Sequence, residues 1–113
     1  MKMPDEMCNA MFAKLPLEDK RWLILFADEV KCAREKPPTM GKDIVHAAAI
    51  VCEEAGELVR AALQVEYENG RYYDMHAEAI QVGAMALRFC IEGAPELPFP
   101  TPPKAKNRVK TPR

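Results

Sequence analysis

No run of apolar residues in this 113-residue chain reaches the ~20 needed to cross a bilayer, so no membrane span is expected. The first residues mix Lys2, Asp5 and Glu6 with Pro4 and carry no signal-peptide core. Net charge is only −1, so the chain as a whole sets up no strong field for nucleic acid or for a membrane surface. The cysteines, Cys8, Cys32, Cys52 and Cys90, show no CxxC spacing and no flanking histidine cluster. Zinc and a disulfide framework are therefore not expected, and the compartment read from them is reducing and cytoplasmic. Cys52 and Cys90 fall within helical patterns, where a thiol acts as a small apolar group. No useful stretch alternates with period two, which argues against strands.

What the chain has is helical periodicity cut by proline and glycine. The spacing predicts an all-α fold with three main helices in a domain spanning 1–93. The first covers about 17–36, with Pro16 before it and Pro37-Pro38 ending it. Its segment Trp22 to Ala27 is apolar all round, so it must bury two faces, one of them against a partner subunit. The second covers about 42–68, with Ile44, Ala47, Val51, Leu58, Ala62 and Val65 inward, and stops at Asn69-Gly70. The third covers about 72–92 with Gly93 as its cap, and buries Met75, Val82, Met85, Ala86 and Phe89. The short Asn69-Gly70-Arg71 link makes the last two an antiparallel hairpin. Gly56 and Gly83 read as points of close helix packing, and the methionines as core filling.

Two acidic clusters interrupt the apolar faces of that hairpin. They are Glu53-Glu54-Ala55-Gly56-Glu57 and Glu78-Ala79-Ile80-Gln81. Projected at about 100° per residue, Glu54 falls among Ile50, Leu58, Ala61 and Val65, and Glu78 among Val82, Met85 and Phe89. A carboxylate in an apolar stripe costs several kcal/mol unless compensated. Each stripe repeats an oxygen ligand at i and i+3, so a hard divalent cation held between the two helices would compensate both. The other compensation is a buried ion pair with Arg88 or Arg60. Glu53 and Glu57 also fit an exposed helix face. His46 and His76 project away from the acids and read as surface or capping residues.

These strings resemble a family signature. Glu54-Ala-Gly-Glu57, with Glu78-Ala-Ile-Gln81 after twenty further residues, looks like the ExxE…ExxD pattern of the MazG-like all-α nucleoside triphosphate pyrophosphohydrolases. The likeness covers about 43–92. It implies magnesium (with manganese as a substitute) bound by Glu54, Glu57, Glu78 and Gln81, and Glu53 as a further acid close by. It also implies cleavage of a nucleoside triphosphate between the α- and β-phosphates, and a bundle completed as a homodimer or a dimer of dimers. Gln81 departs from the signature's aspartate; its amide oxygen is a neutral, weaker ligand for a hard cation. Glu53 or Glu57 is the candidate catalytic base for the attacking water. Arg88 is the candidate phosphate contact, or else an exposed arginine in an i,i+4 pair with Glu92. The alternative function is a non-catalytic, nucleotide-binding helical oligomer of the same family, with Gln81 marking lost turnover.

From 94 to 113 the composition changes. Six prolines, Pro95, Pro98, Pro100, Pro102, Pro103 and Pro112, precede or sit among Lys104, Lys106, Arg108, Lys110 and Arg113. Such a segment reads as an extended or disordered tail outside the helical domain.

Overall fold

A computed structural model describes residues 3–35, 40 and 43–93. The proline-rich tail and most of the Pro37–Gly41 loop lie outside the described residues. Within them the chain is all-helical and holds four helices: α1 (Asp5–Ala13), α2 (Leu17–Arg34), α3 (Ile44–Tyr67) and α4 (Tyr72–Glu92). It divides into two compact units, one carrying α1 and the other, Pro16–Pro95, carrying α2 to α4.

The count of three helices is corrected by α1. Pro4 stands at its N-cap, and Asp5 and Glu6 fill the first turn, where carboxylates favour the positive end of the helix dipole. The helix ends as Lys14 and Leu15 donate their amides to Met11 and Phe12 carbonyls, just before Pro16. The start of α2 repeats the device, with Pro16 at the N-cap and Glu18 and Asp19 following; Lys31 and Arg34 complement its end. α3 begins at Ile44, because the Asp43 side chain caps the amide of His46 at 2.8 Å.

α4 is the middle helix and packs against both α3 and α2. The core joins Val30 of α2, the loop residue Met40, Ala47 of α3, and Ala84 and Met85 of α4, with Ile50, Val51 and Phe89 against it. Ala47 and Ala84 are fully buried, and their small side chains let the helices approach closely. Two sequence assignments change here. Ile44 is 47% exposed, and Ala86 is exposed while Ala84 and Arg88 are buried. Because α4 is covered on two sides, a single inward stripe misplaces its buried set.

The glycines separate into contact and open positions. A Cβ on Gly83 would meet the Phe26 ring at 3.1 Å, so this glycine lets α2 press flat onto α4. Gly56 was expected to do the same, but nothing lies within 4 Å of its Cβ position. At the hairpin turn Asn69 adopts a left-handed conformation, with φ 57°. The amides of Glu68 and Gly70 both donate to the Gln64 carbonyl at 2.8 Å. A Cβ on Gly70 would fall 2.8 Å from the Gln64 carbonyl carbon, which cannot move without opening the turn. Gly70→Ala is therefore expected to lower stability by about 1–3 kcal/mol. Gly56→Ala should raise it by about 0.5–1 kcal/mol through helix propensity. Urea unfolding of both variants checks the pair. A gain at Gly70 would refute the turn geometry, and a loss at Gly56 would show that something packs against that position.

All four cysteines are free and exposed, including Cys52 and Cys90, so neither acts as core filling. No helix among the described residues is long and apolar enough to cross a membrane.

Candidate functional site

The hairpin brings the two acidic clusters together. Glu54 of α3 and Glu78 of α4 are both half-buried, whereas Glu53 and Glu57 are exposed. Burial pushes the Glu54 carboxyl above its ordinary pKa, and the charges of Glu78, Glu57 and Glu53 push it further the same way. Neither Glu54 nor Glu78 forms an ion pair or a side-chain hydrogen bond with a described residue. The ion pair that the sequence left open as compensation is not made. Gln81 lies one turn beyond Glu78 on α4 and is half-buried. Among the described residues no three His, Cys, Asp or Glu side chains converge into a closed metal-binding group.

Beside this cluster, toward the hairpin turn, opens a pocket of about 290 Å³ lined by Glu57, Arg60, Ala61, Gln64, Asp74, Ala77 and Glu78. Glu57 and Glu78 belong to both cluster and pocket. Arg60, Gln64 and Asp74 did not emerge as site residues from the acid pattern. The signal was the helical spacing, since Glu57, Arg60, Ala61 and Gln64 recur at intervals of three and four and share a face. Asp74 is gripped by the Arg71 guanidinium through two 2.9 Å hydrogen bonds, which fixes the first turn of α4.

Arg88 stands elsewhere. Its side chain is 8% exposed and forks onto Glu92, with Nε donating to Oε2 at 3.1 Å and Nη2 to Oε1 at 3.0 Å. Arg34 of α2 donates to the same carboxylate at 2.9 Å, so Glu92 ties the C-terminal ends of α2 and α4 together. Ten residues separate Arg88 from Glu78, about 15 Å along the helix. The i,i+4 pairing with Glu92 is thus present, but Arg88 is buried rather than exposed. His76 packs edge-on against Trp22 at 5.3 Å between ring centroids, linking α4 to α2 away from the acids.

The two perturbed carboxyls bend the pH dependence in opposite senses. Hydrogen bonding by Arg88, with a smaller contribution from Arg34, holds Glu92 below its ordinary value against the opposing effect of burial. Its contribution is present above the unfolded carboxylate pKa and is lost as pH falls through the lowered folded value. Glu54 is raised, so its contribution is present at low pH and is lost as pH rises from 4.5 through the raised folded value. In chelator, thermal unfolding should therefore show stability falling at the acid end and again as pH rises above the ordinary carboxylate range. Glu54→Gln should abolish only the second fall, and an unchanged profile in that variant would contradict the burial of Glu54.

Compared with protein-family models, with characterised proteins and with solved structures, the chain matches none.

Proposed function

We propose that this chain is a magnesium-dependent nucleoside triphosphate pyrophosphohydrolase of the MazG-like kind, releasing nucleoside monophosphate and pyrophosphate. The observation that carries the reading is Glu54. It is a half-buried carboxyl crowded by three like charges with no cationic partner among the described residues, at the position where the ExxE string resembles the family signature. Burial and repulsion both favour the arrival of a cation, and the surrounding donors are hard oxygens suited to magnesium or manganese. The support is this charge arrangement together with the sequence pattern; it does not depend on a preformed ligand shell. When bound, a divalent cation offsets the charge of the triphosphate and of the departing pyrophosphate.

The remaining roles belong to the chain's own side chains. Glu54 and Glu78, both half-buried and near enough for the Glu78 charge to raise the Glu54 carboxyl, would supply carboxylate oxygens from the two helices of the hairpin, with Glu57 and the Gln81 amide as the further ligands. Glu53 or Glu57, more exposed and less engaged, orients the attacking water and accepts its proton as the water approaches the α-phosphorus. In-line attack there breaks the α–β anhydride bond, and the leaving pyrophosphate takes the electron pair.

A homodimer or dimer of dimers belongs to the same proposal. Leu23, Ile24 and Leu25 of α2 are 42%, 58% and 44% exposed, which leaves apolar surface around α2 for a second copy to cover. The non-catalytic alternative rests on Gln81, whose neutral amide replaces a charged ligand.

Incubation of the purified chain with a panel of canonical and modified triphosphates plus magnesium separates these readings. Pyrophosphate and monophosphate are expected. Release of orthophosphate would move the attack to another phosphorus, and binding without release would favour the alternative. Gln81→Asp is expected to tighten magnesium binding about 3–10-fold, because it adds a charged oxygen ligand. Weaker metal binding or loss of the helical fold on that change would show that Gln81 serves packing.

A further inference from the structure

The geometry points to Arg60, with Gln64 beside it, as the subsite that grips the polyphosphate of a cation-bound substrate, on the hairpin-turn side of the acidic cluster. This assignment rests on the pyrophosphohydrolase reading for its substrate but on independent features for its place.

The first feature is the state of the arginines. Of the five among the described residues, Arg21, Arg34, Arg71 and Arg88 each pair with a carboxylate. Arg60 makes no ion pair with a described residue, although it lines a pocket with Glu57, Asp74 and Glu78. The second feature is the charge pattern of that pocket. Asp74 is already held by Arg71, so the open charges of the lining are the Glu57 and Glu78 carboxylates and the Arg60 guanidinium. A bare anion is repelled by the acids, and an organic polycation is repelled by Arg60. A polyphosphate that arrives with a divalent cation satisfies both sides, with the cation against the carboxylates and phosphate oxygens against the guanidinium.

Position adds a direction. Arg60 lies six residues beyond Glu54 on α3, about 9 Å along the axis. Helical side chains lean toward the N-terminus, and Glu57, one turn before Arg60 on the same face, lines the same pocket. The Gln64 amide lies one turn further and offers additional hydrogen-bond donors. The terminal phosphates therefore lie toward the hairpin turn and the nucleoside toward the opposite end of the cluster. Arg88, buried in its fork with Glu92 about 15 Å from Glu78, is too distant and too committed for this task.

The test uses the full chain and two readouts. One is calorimetric titration with magnesium-saturated inorganic tripolyphosphate, and the other is turnover of a triphosphate identified from the panel. Arg60→Ala is expected to weaken tripolyphosphate binding about 10-fold or more and to raise KM similarly, with kcat changed less than about 3-fold. Arg60→Lys should recover part of the binding, as a point charge without the fork. Manganese affinity without phosphate should be unaltered in both variants, which separates loss of the subsite from damage to the acids. Wild-type tripolyphosphate affinity in Arg60→Ala would overturn the assignment even if the enzyme turns over. Arg60-dependent binding in a chain that hydrolyses nothing would uphold the subsite and remove the proposed reaction. A wild-type chain that binds no tripolyphosphate at any magnesium concentration would overturn both.

Discussion

Glu54→Gln and Glu78→Gln should each lower magnesium-dependent triphosphate turnover by about 10²-fold or more while leaving helical content unchanged. The amide keeps the shape of the side chain and removes the charge that attracts the cation. Without metal the fold should not suffer from Glu54→Gln, because the substitution relieves the burial and repulsion that raise this carboxyl. Near neutral pH the metal-free variant should unfold at a higher temperature than the wild type. With magnesium the order should reverse, since a cation bound as proposed to the native wild-type chain would stabilise it by mass action. A variant that is less stable in chelator and still active in magnesium would show that Glu54 holds a structural hydrogen bond instead of a ligand position.

The second large effect is at the far end of the bundle. Glu92→Ala should destabilise the chain by about 3 kcal/mol, a large fraction of the stability of a small domain. The cause is less the loss of attraction than the guanidinium left behind. The Arg88 side chain is 8% exposed and, with the carboxylate gone, keeps a charge that little water can reach. Arg34 loses the same partner, so the link between α2 and α4 goes with it. Arg88→Met combined with Glu92→Ala should recover much of the loss, because it removes the stranded charge. Urea unfolding of the single and double variants reads both effects. A single variant as stable as the wild type would mean that Arg88 is solvated in solution.

These two residues also mark how far the sequence can be read. The hairpin was legible because Asn69-Gly70 is a strong stop, and the structure adds its cause: a left-handed Asn69 and a Gly70 pressed against the Gln64 backbone. The meeting of the acidic clusters was legible too, because carboxylates at apolar angular positions conflict with the periodicity around them. The buried fork at Arg88 was not. The i,i+4 spacing to Glu92 is the same whether the pair is wet or buried, and the burial comes from α2, whose Arg34 is far away in sequence. α1 leaves only a weak periodic signal because it is short, although Pro4, Asp5 and Glu6 spell a helix start. Gly56 and Gly83 look equivalent in sequence and differ only in what stands opposite them, the Phe26 ring in one case and open space in the other. Arg60 was legible only as a possible ion-pair partner of the acids; that it pairs with no described carboxylate, while the other described arginines do, is a matter of tertiary structure.

The claim on which the rest depends is that the Glu54–Glu78 cluster holds a divalent cation between α3 and α4. Manganese supports a direct measurement, because its electron paramagnetic resonance signal reports free and bound ion separately. Titration of the nucleotide-free chain should show saturable binding that magnesium displaces, that weakens as pH falls and Glu54 takes up its proton, and that is lost in both Glu54→Gln and Glu78→Gln. Manganese binding that is equal in wild type and both variants, or absent from the wild type at millimolar ion, would contradict the account.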